Sequence, residues 1–188
     1  MNYQVLVNKQ NGLEDGYIPS NLVPVDSKYK EEGLLKLEAL AYQKWLELKA
    51  SVLSKDYIID VESAYRSYDY QLKILQELIE EKGKDYALRA VALPGFSEHQ
   101  TGLAIDYCIL KNKEFVIEEE FNDTFEECIY TNSIAHKYGF IVRYPKGKED
   151  ITGYKYEPWH LRYVGIALAS YLHENKITLD EYYKEDKK

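Results

Sequence analysis

The sequence predicts an α+β fold, with a small, mainly antiparallel sheet and flanking helices in a single domain over residues 1–188. Three observations lead there. Helix-period and β-rich segments are mixed along the chain without the strict alternation of a βαβ series. The 188 residues are 45% hydrophobic and 30% charged, the balance of one globular core. Neither an internal repeat nor a Gly/Ser- or Pro-rich linker divides the chain.

Residues 1–27 read as an irregular lead-in. The apolar run Val5–Val7 is followed by turn signals at Asn11-Gly12 and Asp15-Gly16, then by Pro19 and Pro24. Leu34 to Leu53 reads as a helix, because Leu37, Leu40, Ala41, Trp45, Leu48 and Val52 recur at three- and four-residue spacing. Tyr57–Val61 is β-rich and reads as a strand. Ser67 is placed to N-cap a helix whose apolar face would be Leu72, Ile74, Leu75, Leu78 and Ile79. A shorter helix over Asp85–Val91 stops before Pro94-Gly95. Leu103–Ile109 reads as a strand, Thr124–Tyr138 as a helix closed by Gly139, and Phe140–Tyr144 as a strand stopped by Pro145. A polar loop over 146–156 leads to a strand at Leu161–Val164 and a helix at Ile166–Glu174. Thr178-Leu179-Asp180-Glu181 is a capping box that opens a last short helix.

Composition narrows the function. Lys and Arg number 24 against 32 Asp and Glu, leaving a net charge of −8. Phosphate backbones are gripped by clustered Lys and Arg, so no nucleic-acid partner is expected. No run of ~18 apolar residues occurs, so no membrane span is expected. Met1 to Lys9 lacks a basic region followed by an apolar stretch, which sets the expectation of a cytoplasmic protein. Cys108 and Cys128 are too few for a disulfide scaffold or a cysteine zinc site and read as buried thiols. The 19 Tyr against 5 Phe and 2 Trp suit a core edge or a wet cleft, since tyrosine joins apolar area to a polar tip.

Two of the four histidines stand in loaded surroundings: Ser97-Glu98-His99-Gln100-Thr101-Gly102-Leu103-Ala104-Ile105-Asp106 and Tyr156-Glu157-Pro158-Trp159-His160. His99, Asp106 and His160 offer a nitrogen-and-oxygen donor set suited to zinc, with a fourth position left for water. On a strand, Asp106 shares a face with Ala104 and Cys108, whose small side chains leave room for a cleft. Gly102 could let the His99 loop fold back towards that face. Glu157 is a candidate base for the attacking water. Pro158 opposes a helix, and on a regular strand positions 157 and 160 face opposite ways, so this segment must bend if both reach one metal. Trp159 can wall off such a site. Arg66, in Tyr65-Arg66-Ser67 at a strand-to-helix junction, reads either as a clamp for a developing oxyanion or as a surface arginine paired with one of the acidic residues. His136 and His173 lie on predicted helices without a carboxylate pattern and read as structural.

Taken together, the motifs resemble the VanY/VanX-type family of zinc D-alanyl-D-alanine peptidases. Ser-x-His-x-x-Gly-x-Ala-x-Asp spans Ser97–Asp106, Glu-x-Trp-His spans Glu157–His160, and Tyr-Arg-Ser lies upstream. The flanks Val91–Gly95, Tyr138–Pro145, Glu149–Gly153 and Arg162–Gly165 resemble the bifunctional VanXY branch, and the motif-bearing core runs over 60–165. The resemblance implies a fold shared with the Hedgehog signalling domain and one catalytic zinc. It implies His99, Asp106 and His160 as ligands, Glu157 as base, Arg66 on the scissile carbonyl, and Ser97 and Gln71 as substrate contacts. The implied substrate is a small peptide ending in D-Ala, either the D-Ala-D-Ala dipeptide or a peptidoglycan stem precursor. An L,D-carboxypeptidase acting on a tetrapeptide stem and a non-catalytic Hedgehog-like zinc module are the alternatives.

Overall fold

The computed structural model describes residues 2–29, 35–117, 120 and 123–185. Its main sheet has strand order β3 (Ile59–Ser63), β4 (Ala104–Lys111), β7 (Glu157–Tyr163), β6 (Phe140–Tyr144), and every pair is antiparallel. The strand β5 (Glu114–Val116) pairs with the far half of β4, while β7 pairs with its near half. Ahead of the sheet, β1 (Leu22–Pro24) and β2 (Lys36–Glu38) form a two-stranded ribbon. The helices are α1 (Ala39–Leu53), α2 (Tyr68–Lys82), α3 (Lys84–Ala90), α4 (Glu126–Ile134), α5 (Glu149–Thr152), α6 (Ile166–Asn175) and α7 (Leu179–Glu185). No helix among the described residues is long and apolar enough to cross a membrane.

The alternation of β4 divides the molecule. Leu103, Ile105, Tyr107 and Ile109 enter one core with Ala41, Trp45, Leu48 and Val52 of α1, all completely buried. Full burial of such side chains stabilises by about 1.5–3 kcal/mol each, so this face fixes where the strand lies. The opposite face, with Ala104, Asp106 and Cys108, is left for polar work. A second core gathers Val164, Leu168, Ala169, Leu172 and Leu179 under α6 and α7.

Several boundaries differ from the sequence expectation, each for a local reason. The helix expected from Leu34 begins at Ala39; Leu34 itself lies outside the described residues. Lys36–Glu38 pairs instead with Leu22–Pro24, and the Glu38 carboxylate caps the helix by accepting from the backbone N–H of Leu40 and Ala41 at 2.9 and 3.0 Å. The lead-in is therefore partly a strand. On α2 the Ser67 cap is present, but Leu72 is exposed and Gln71 takes its place on the buried face beside Leu75. The helix expected over Thr124–Tyr138 is α4 followed by a 3-10 turn at Ala135–Tyr138, closed as expected by Gly139. The polar loop 146–156 contains the helical turn α5. The strand expected at Leu161–Val164 begins four residues earlier, at Glu157.

Candidate metal centre and active site

Asp106 on β4 lies directly opposite His160 on β7, so sheet register alone brings a carboxylate and an imidazole together. His99 arrives from a 3-10 turn, Glu98–Thr101, ended by Gly102 in the left-handed conformation at φ 69°. That glycine also passes close to the lead-in. A Cβ there would stand 2.7 Å from Leu22 Cδ2, while the Gly102 carbonyl accepts from Glu38 N–H at 2.8 Å. The ligand atoms of His99, Asp106 and His160 lie within 4.8 Å of one another, and all three residues are buried.

The donor chemistry fits a metal. His99 Nδ1 is 2.6 Å from the Ala64 carbonyl, which can only accept, so its proton sits there and Nε2 is left with a lone pair 3.0 Å from Asp106 Oδ2. His99 Nε2 is buried without an aligned hydrogen bond, an orphan that a cation would satisfy. His160 Nδ1 lies 2.9 Å from Asp106 Oδ1. Electrostatics differ across the triad. Burial and the Arg66 cation push the His99 imidazole down to about 4, a neutral ligand. Burial also opposes charge on His160, but the hydrogen bond to Asp106, with Glu98 and Glu157 nearby, outweighs it and lifts the pKa to about 9. Burial would raise the Asp106 pKa, yet the two histidines hold its carboxyl well below the usual range. A divalent cation held by the three residues would take the place of the His160 proton in this charge balance.

Glu157 lies at the start of β7, and the bend required of this segment is a bulge. Val142 pairs with Leu161 and Tyr144 with Glu157, so two steps along β6 face four along β7. The bulge brings Glu157 Oε2 to 3.8 Å from His160 Nδ1. Arg66 is fixed through its backbone N–H to the His99 carbonyl, 3.2 Å, and its Nη2 lies 3.3 Å from Asp106 Oδ2. Of the two readings the sequence left for Arg66, the acidic partner is therefore a residue of the triad. Gln71 is buried and uses both ends of its amide: Oε1 accepts from Arg66 Nη1 at 3.4 Å and Nε2 donates to the Ala92 carbonyl at 2.9 Å. Ser97 is also buried. All seven residues singled out in the sequence line one cavity of about 120 Å³, whose wall includes Trp159.

Sequence reasoning did not single out Glu98, Tyr144 or Tyr154. Tyr144 and Tyr154 line the cavity, with ring centroids 4.7 Å apart and Tyr144 tilted against His160 at 4.9 Å. The excess of tyrosine was the only available signal, and it carried no position. His136 and His173 line a different cavity and stack on each other, centroids 3.7 Å apart.

An antiparallel α+β sheet carrying a buried His-Asp-His triad, with a glutamate and an arginine beside it, defines a mononuclear metallopeptidase centre. Residues 34–166 match the family described as VanY: D-alanyl-D-alanine carboxypeptidase, and the chain belongs to that family. It is 43% identical, over its full length and 69% of the relative's, to YodJ of Bacillus subtilis (strain 168), a carboxypeptidase by name. It is 35% identical to the bifunctional D-Ala-D-Ala dipeptidase and carboxypeptidase VanXYC of Enterococcus gallinarum, covering 97% of this chain and 94% of that one. Among solved structures, the LdcB LD-carboxypeptidase superposes with TM-score 0.87 at 42% identity, over 95% of this chain and 84% of that one. The D,D-dipeptidase VanXYg, bound to a D-Ala-D-Ala phosphinate analogue, gives 0.84 at 34% identity, over 97% and 70%. A VanY D,D-pentapeptidase variant, solved with Zn(II), gives 0.80 at 28%, over 96% and 98%.

Proposed function

We propose that this chain is a zinc-dependent peptidase that hydrolyses the terminal D-Ala bond of D-Ala-D-Ala dipeptide or of peptidoglycan stem precursors. One observation carries the reading: a carboxylate and a guanidinium flank the triad in a single small cavity, Glu157 on the His160 side and Arg66 on the Asp106 side. A structural zinc module has no use for either group.

His99, Asp106 and His160 are the ligands. Bound there, zinc supplies a Lewis acid that polarises the scissile carbonyl and lowers the pKa of water. Glu157 takes the proton lost as water attacks and returns it to the departing amine. Arg66, held by Gln71, presents its guanidinium to the oxyanion that develops on the carbonyl. Ser97 offers a hydroxyl to the bound peptide, and Gln71 serves the substrate through Arg66. Trp159 and the tyrosine pair restrict water around the reacting bond. The VanXY-type flanks support cytoplasmic action on precursor ends.

A second reading, cleavage of the L,D bond that ends a tetrapeptide stem, is favoured by the closer likeness to LdcB than to VanXYg. The two readings share every residue above and differ only in the residue that precedes the terminal D-Ala. Release of free D-Ala from the dipeptide, a D-Ala-D-Ala-ended pentapeptide and a tetrapeptide separates them. D-Ala release abolished by chelator and restored by zinc is the expected result. A zinc-loaded protein that releases D-Ala from none of the three overturns the enzyme reading.

A further inference from the structure

Glu98 sits between Ser97 and His99, and its side chain is fully buried. A carboxylate there is costly unless both oxygens are used. Oε1 accepts from Arg143 Nε and Arg162 Nη1, each at 2.7 Å, and both guanidinium groups are themselves buried. Oε2 is not taken by either arginine. The polar atom facing it is His160 Nε2, 3.4 Å away without an aligned hydrogen bond, and among the described residues neither of these buried atoms has a hydrogen-bond partner. The opposite ring nitrogen of His160, Nδ1, faces Asp106 and Glu157.

We infer that Glu98 is the positioning residue for His160, accepting its Nε2–H and so fixing the tautomer whose Nδ1 lone pair is turned to the metal position. A metal-ligating imidazole is oriented by what its other nitrogen donates to. In His99 that acceptor is the Ala64 carbonyl, and Nε2 is the free nitrogen. The two histidines are thus held in opposite tautomers, one by backbone and one by a side chain. Glu98 is held in turn by arginines that bond residues far away in the sequence. Arg143 bonds Asp180 Oδ2 and the Val7 carbonyl, and Arg162 bonds the carbonyls of Tyr3 and Val5.

This inference rests on the metal reading above, and the test separates the two. In zinc-loaded protein labelled with ¹⁵N-histidine, two-bond proton–nitrogen spectra should place the His160 proton on Nε2; a proton on Nδ1 overturns the inference. Glu98→Gln keeps an oxygen for the arginines but turns N–H groups towards His160, so zinc affinity, read by chelator competition, should fall about 10- to 100-fold. Asp180→Asn is the control. It weakens the same arginine network without touching His160, so it should lower Tm while leaving zinc affinity near the wild-type value. Equal zinc affinity in the two variants at matched loss of Tm shows that Glu98 is merely structural. If Glu98→Gln does not fold, the tautomer measurement decides alone. Wild-type protein that takes up no zinc sinks the metal reading and this inference together.

Discussion

Glu157 and His160 share one cavity although strand alternation would send them to opposite faces, and the residues on either side show what each should do when changed. Asp106→Ala and His160→Ala each remove a ligand and leave a buried polar partner behind, so both variants should come off a desalting column without zinc. Full metal occupancy in either one, by elemental analysis, rejects the ligand set. Under the proposed mechanism, Glu157→Gln removes only the proton acceptor. Zinc content and peptide affinity should persist while kcat falls about 10²- to 10⁴-fold. Near-normal turnover would place the base elsewhere. Arg66→Ala should likewise retain zinc and lose turnover. The cysteines behave as their composition suggested: both are buried and unpaired. Burial, with Asp60 and Glu62 near Cys108, pushes that thiol up to about 12; burial also puts Cys128 at about 11. Native protein at pH 8 should therefore resist a thiol-specific reagent and react at two sites only after denaturation.

Element by element, what the sequence made legible was whatever has a long period or a cap. The strand β6 falls on its predicted residues because Gly139 and Pro145 punctuate both ends. The capping box before α7 is present in full: Thr178 N–H donates to Glu181 Oε2 at 2.7 Å and Glu181 N–H to Thr178 Oγ1 at 3.1 Å. Burial works against ionisation of Glu181, but the Lys148 hydrogen bond and the cap outweigh it, so its folded pKa lies below the ordinary 4.5. A depressed carboxylate contributes above its unfolded pKa and loses that contribution as pH falls. The fall of Tm below pH 4.5 should accordingly be shallower in Glu181→Gln than in wild type; equal slopes would remove the linkage. Strands of three residues, β1, β2 and β5, are too short to show a period and could not be read. The early start of β7 was hidden by its bulge, which breaks the alternation that would have announced a strand. Gly102 was legible as a turn but not as a contact. Gly102→Ala forces a left-handed alanine against Leu22 and should cost about 1–3 kcal/mol, a Tm loss of roughly 2–4 °C per kcal/mol. An unchanged Tm would show that the turn relaxes freely.

At the scale of the whole molecule, the sheet is a partition, with apolar packing against α1 on one side and a polar site on the other. The apolar half was foreseeable, because Leu103, Ile105 and Tyr107 alternate and the α1 residues recur every three or four positions. The site was foreseeable as a set of motifs, since ligand chemistry is written in residue type. Its support was not. Glu98 meets Arg143 and Arg162 across 45 and 64 residues, and Arg143 meets Asp180 across 37, separations at which no local pattern survives. Each arginine read alone is one more surface cation; only the fold shows that both are buried against one carboxylate.

That long-range closure also sets an order of events in time. Asn8 donates to Asp180 across 172 residues, and the same aspartate holds Arg143, which holds Glu98 beside the ligand pair. Contacts of such sequence separation form late, because loop closure must precede them. During synthesis all three ligand residues, His99, Asp106 and His160, are made before residue 180, so the nascent chain carries its ligands on an unfinished frame. The outer support of Glu98 is therefore added after the ligands themselves exist, once α7 has met Asn8 and Arg143 has met Val7.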